Sequence, residues 1–116
     1  MDPGKVRTFH VTLRLPEAEH VLRVSAQEAI WYAAAAQGIS LPAVCRQGRC
    51  LSCAGRLAAP GEFDQDGSDL YFPEDRAAGF LLLCTARPRS DLVIVTHQQD
   101  AMRAHRLALG LPAPYA

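Results

Sequence analysis

Phe9, Val11, Leu13 and Leu15 alternate with His10, Thr12 and Arg14, the period-two pattern of a half-buried strand that Pro16 ends. Glu17-Ala18-Glu19 reads as a hairpin turn, and His20 to Val24 as the returning strand with Leu22 and Val24 facing inward. Then the period changes. Ser25-Ala26-Gln27-Glu28 has the spacing of a capping box and predicts a helix over Ala26 to Gln37, closed by Gly38, with Ile30, Ala33, Ala34 and Gln37 along one stripe. Further on, Gly55 to Ala58, Leu82 to Ala86 and Leu92 to Thr96 read as short strands, with turns at Pro60-Gly61 and Arg87-Pro88-Arg89-Ser90. The stretch Phe63 to Asp75 carries Asp64, Asp66, Asp69, Glu74 and Asp75 and reads as a solvated loop. Asp100 is placed to cap a final helix over Ala101 to Leu109, ended by Gly110 and Pro112, with Met102, His105 and Leu109 on one face.

A few strands and two helices in 116 residues make one α+β domain, long enough to bury a core without covalent staples. Twelve Lys+Arg balance 12 Asp+Glu, so no overall charge draws the chain to nucleic acid or anionic lipid. The longest apolar run, Ala29 to Ala36, is far below the ~20 residues a membrane span requires. Met1-Asp2-Pro3-Gly4-Lys5 leads into the first strand without an apolar signal segment, so the expected compartment is the cytoplasm, or an organelle after removal of a transit peptide.

Chemistry enters with the cysteines. Cys45, Cys50, Cys53 and Cys84 stand as C-x4-C-x2-C-x30-C, the plant-type spacing of four thiolates around a [2Fe-2S] cluster. Four cysteines placed at random would meet that pattern about once in ten thousand trials. Zinc sites built from four cysteines pair two C-x2-C knuckles, and only Cys50 with Cys53 forms one here. A Rieske centre needs two histidines, whereas His10, His20, His97 and His105 all lie away from the cysteine loop. Two disulfides are disfavoured in a reducing compartment. The loop itself, Cys45-Arg46-Gln47-Gly48-Arg49-Cys50-Leu51-Ser52-Cys53, is short and mostly polar, suited to wrapping backbone N–H groups around an anionic cluster. Cys84 instead ends the apolar stretch Phe80-Leu81-Leu82-Leu83, which predicts delivery of the fourth thiolate from the buried side.

From Phe9 to about Asp100 the chain resembles the plant-type ferredoxins, through Gly38-Ile39-Ser40-Leu41-Pro42, the cysteine loop, Cys53-Ala54-Gly55, Gly79-Phe80 and Ser90-Asp91-Leu92-Val93-Ile94-Val95-Thr96-His97. The resemblance implies a β-grasp fold, a mixed sheet packed on one main helix, with one [2Fe-2S] cluster near the surface. It implies that Cys45 and Cys50 hold the outer iron and Cys53 and Cys84 the inner one, with Arg46 and Ser52 supporting the loop. Residues 1–100 would form the cluster domain and 101–116 a C-terminal helical extension. The implied activity is one-electron carriage by a monomer, without transformation of a substrate. Its partners would be a ferredoxin reductase or photosystem-type donor and an oxidoreductase acceptor, in the cytoplasm or a plastid stroma. A redox-sensing or regulatory module that docks through its tail is the alternative. Several departures bear on the partner: relatives are strongly acidic, while this chain is neutral and carries Arg46, Arg49, Arg87 and Arg89 about its cysteines. His97-Gln98-Gln99-Asp100 stands where relatives have an acidic pair that docks ferredoxin-NADP reductase, so Gln99 removes one of its charges.

Overall fold

The computed structural model describes residues 7–43, 51–68 and 70–113. The N-terminal alternation forms β1 (Thr8–Arg14) and β2 (Glu19–Ser25), antiparallel in a register running from Thr8 opposite Ser25 to Arg14 opposite Glu19. That register puts Phe9, Val11, Leu13, Leu22 and Val24 on one face, all buried, and leaves Val21 in water. The connection closes through the Leu15 N–H, which donates to the Ala18 carbonyl at 2.8 Å.

The expected helix over 26–37 starts later than its sequence signal. The Glu28 carboxylate accepts the Ser25 N–H at 3.0 Å and the Ser25 hydroxyl accepts the Gln27 N–H at 3.0 Å, so the box forms, but it closes a separate turn. Ala29 has extended angles (φ −70°, ψ 137°), and α1 (Ile30–Ala36) begins after it without a side-chain cap. Its first amides are satisfied elsewhere: Ile30 N–H donates to the Ala86 carbonyl and Trp31 N–H to the Leu83 carbonyl, at 2.9 and 2.8 Å. Tertiary carbonyls replaced the local cap, which is why the local signal misplaced the start. The end is as expected, with Gly38 at φ +82°, its own N–H donating to the Ala35 carbonyl and the Ile39 N–H to the Ala34 carbonyl in a Schellman motif. Ile30, Ala33 and Ala34 pack on the sheet, while Gln37 is exposed.

The rest of the sheet comes from β3 (Ala54–Leu57), β5 (Phe80–Leu82) and β7 (Leu92–Val95), in the order β2-β1-β7-β3-β5 with β1 and β7 parallel. It is a mixed sheet with helices on it, the β-grasp arrangement. Two expectations are corrected here. The strand expected over Leu82 to Ala86 ends at Leu82, because residues 83–85 turn, and Arg87–Pro88 in the expected turn form β6, which pairs with β4 (Phe63–Asp64) in a two-stranded sheet.

The acidic stretch is the larger correction. Within it lie β4 and the start of α2 (Pro73–Ala77), and Asp75 is fully buried. Pro73 at the first helical position, with Glu74 and Asp75 in the first turn, was a legible helix start that the charge pattern masked. Tyr71, just before α2, donates its hydroxyl to the Phe80 carbonyl on β5. Burial pushes the Tyr71 phenol above the ordinary tyrosine value. Because the raised group is neutral when protonated, its contribution is complete below about pH 10 and is lost as pH rises from there toward the folded-state value. Titration of tyrosinate absorbance should therefore show one of the 3 tyrosines ionising only as the protein unfolds. Tyr71→Phe should remove that late step and lower stability by about 1–2 kcal/mol.

The final helix, α3 (Gln99–Ala108), starts from Gln98 rather than from a capping Asp100, which sits in the first turn. Met102 is buried as expected and His105 partly so, but Leu109 is exposed, and the second fully buried side chain on the helix is Arg106. Among the described residues no helix is long and apolar enough to cross a membrane.

Candidate metal centre

Cys53 immediately precedes β3, and Cys84 follows β5 by one turn. Pairing Ala54 with Leu82 and Gly55 with Leu81 brings the two together, and the Leu83 N–H extends the ladder to the Cys53 carbonyl at 3.1 Å. Gly55 also lets β3 pack closely on β7, since a Cβ there would lie 2.7 Å from the Ile94 Cγ2. The result is a pair of cysteine sulfurs 3.0 Å apart, each residue only 2% exposed.

That pair fits a cysteine-ligated metal. The sulfurs are well beyond the ~2.05 Å of a disulfide, and two thiolates on one tetrahedral metal at about 2.3 Å lie roughly 3.7 Å apart, which small side-chain rotations reach. Leu51 and Leu83, both nearly fully buried, flank the pair and make it a dry site, as the apolar run before Cys84 predicts. Soft thiolates in such surroundings select iron–sulfur clusters or zinc over hard cations.

The turn that carries Cys84 is held from several sides. The Leu82 carbonyl accepts the Thr85 and Ala86 N–H groups at 3.1 and 2.9 Å, and the Leu83 and Ala86 carbonyls accept the first amides of α1. Trp31 adds a strap, its indole N–H donating to the Leu41 carbonyl at 2.9 Å just ahead of the cysteine loop. Cys45 and Cys50, with Arg46, Gln47, Gly48 and Arg49, lie outside the described residues. Ser52, expected to support the loop, is half-buried beside Cys53. Of the histidines, His105 lies 3.5 Å from an Asp75 oxygen, far along the chain from the cysteines. Gln99, read as a docking position, turns its Oε1 into the protein, where it is buried without a hydrogen bond.

Two buried thiols converge at the end of a β-grasp sheet, and two more cysteines precede them in sequence, the donor set of a small thiolate-ligated metalloprotein. Residues 15–89 match the family described as the 2Fe-2S iron-sulfur cluster binding domain. The chain is 36% identical over 105 residues to Ferredoxin-2 of Synechococcus sp., spanning 90% of this chain and 97% of that protein. It is 41% identical over 96 residues to the vegetative ferredoxin of Trichormus variabilis, spanning 83% and 87%. Among solved structures, Pectocin M2 superposes with a TM-score of 0.73 at 30% identity, over 81% of this chain and 34% of that one, so the chain spans about a third of that protein. The chain belongs to the plant-type [2Fe-2S] ferredoxins. Its cofactor is a [2Fe-2S] cluster, and it is an electron carrier.

Proposed function

We propose that Cys45, Cys50, Cys53 and Cys84 hold the cluster, and that the protein shuttles single electrons between separate redox proteins, one of them a partner of its own. The observation that carries the ligand set is the convergence of the Cys53 and Cys84 sulfurs at 3.0 Å, close in the chain to the buried Leu51 and Leu83. The cluster supplies one-electron redox chemistry, and no substrate is transformed. What the chain's residues do is hold the thiolates, exclude water on one side and leave the other to a partner. Residues 1–100 serve the cluster and 101–116 add a cover without a ligand. A reducing compartment, cytoplasm or plastid stroma, keeps cysteine thiolates available as ligands.

The partner reading is supported by what the acidic stretch does with its charges. Asp75 is consumed in a fully buried pair with Arg106 at 2.7 Å, and Asp64 pairs with Arg89 at 2.8 Å. Asp66 and Glu74 remain exposed, and so do the cations Arg56 and Arg76. A coherent negative face, which steers association with a basic reductase, is missing among the described residues. The tail-docking alternative gains no support, since Met102 and Arg106 bury the tail helix in its own domain.

Anaerobically purified protein is expected to be red-brown, with two iron and two acid-labile sulfide per chain and a rhombic EPR signal on reduction; zinc without sulfide would end this reading. With ferredoxin-NADP reductase, turnover is expected to be slow and nearly independent of salt between low and physiological ionic strength. Rapid, strongly salt-sensitive turnover would refute the dedicated partner and leave the cluster assignment intact.

A further inference from the structure

β5 is the edge of the main sheet, and in its ladder with β3 the Leu82 N–H and C=O point outward, because Leu83 and Leu81 make the pairs toward β3. A buried edge strand with unpaired amides is costly. Here the missing strand is replaced by one side chain. Gln65, only 4% exposed, accepts the Leu82 N–H on its Oε1 at 2.9 Å and donates from its Nε2 to the Leu82 carbonyl at 3.1 Å. That pairing settles which way the amide faces, since an N–H must meet oxygen and a carbonyl must meet nitrogen. The same Nε2 lies 2.7 Å from the Thr85 Oγ1 and 2.8 Å from the Ser68 Oγ, and the two hydroxyl oxygens are 2.5 Å apart. Leu82 and Thr85 bracket Leu83 and Cys84, so the amide grips the turn on both sides of the thiol.

We infer that Gln65 is a positioning residue for the Cys84 thiolate, an inference that rests on Cys84 being a cluster ligand. A glutamine within the acidic stretch thereby fixes the turn that would present the Cys84 sulfur to the cluster, without touching the sulfur. Removing the amide leaves the Leu82 N–H buried without an acceptor, while the Leu82 carbonyl keeps the Thr85 and Ala86 N–H groups, and it loosens the turn, which changes ligand geometry and the spectrum of the cluster.

The test uses cluster-loaded Gln65→Met, close in shape but unable to reproduce the paired amide contacts. Amide hydrogen exchange of a peptide spanning residues 80–86 should quicken about tenfold or more. The EPR g-values and visible circular dichroism of the cluster should shift with it. Val24→Ala, in the core of the opposite edge strand, is the control: it should lower Tm, quicken exchange at residues 80–86 by no more than its loss of global stability, and leave the g-values and circular dichroism unchanged. If Gln65→Met does not assemble, Thr85→Val removes one hydroxyl partner, keeps the glutamine, and is read by the same two signals. Wild-type exchange and a wild-type spectrum in the variant that assembles would overturn the inference. A wild-type cluster in Cys84→Ala would instead remove the ligand assignment beneath it, while leaving the exchange result on residues 80–86 standing.

Discussion

Cys84→Ala is expected to strip the protein of its cluster and, beyond that, to weaken the fold itself. Cys84 is 2% exposed and belongs to the same buried core as Leu51, Leu81, Leu83 and Ala86. Removing its sulfur deletes packing as well as a ligand, at about 1–2 kcal/mol, below the cost of a full Leu→Ala truncation. The comparison that separates the two losses is Cys45→Ala, which should lose the same cluster and keep the sulfur at position 84. Iron and sulfide should fall below about a tenth of wild type in both variants, the remainder reflecting incomplete three-cysteine ligation. Cys84→Ala should then melt about 4–8 °C lower than Cys45→Ala. Equal melting temperatures would dismiss the packing argument, and a retained cluster would dismiss the ligand.

The largest effect on stability is expected from Asp75→Ala. Arg106 is fully buried, and its guanidinium reaches both Asp75 oxygens, from Nε at 3.2 Å and from Nη2 at 2.7 Å, while other N–H groups donate to the Leu70 and Pro112 carbonyls. The Phe72 ring lies 4.9 Å from its central carbon, and the Phe72 N–H donates to Asp75 at 2.9 Å. Deleting the carboxylate strands a cation in the interior and unpins α2 from α3. The cost should be about 3–5 kcal/mol, a large part of the 5–15 kcal/mol that holds a domain together. An exposed pair such as Arg14 with Glu19 should cost about 1 kcal/mol or less when broken the same way. Replacing both partners by apolar side chains, Asp75→Leu with Arg106→Met, should recover most of the loss, because neither charge is then left alone. Urea unfolding of the cluster-loaded proteins reads all of these. A single variant as mild as the exposed pair would show that water reaches Arg106.

Local pattern by itself determined the N-terminal hairpin, the closing of α1 at Gly38 and the cysteine spacing, because each rests on neighbours within a few residues: alternation, a positive φ, a fixed interval in a loop. The cofactor was legible for the same reason, since C-x4-C-x2-C is a local constraint and Cys84 followed an apolar run that had to be buried. Only the tertiary structure decided where α1 begins, because carbonyls of Leu83 and Ala86, far along the chain, cap it and outweigh the capping box at Ser25 and Glu28. It alone decided that the acidic stretch folds. A carboxylate counts as solvated until a cation is brought to it, and the cation for Asp75 sits 31 positions on, at Arg106. Gln65 was invisible for the same reason: a glutamine in a polar run carries no sign of the edge strand it completes, and its chemistry exists only once β5 lies beside it.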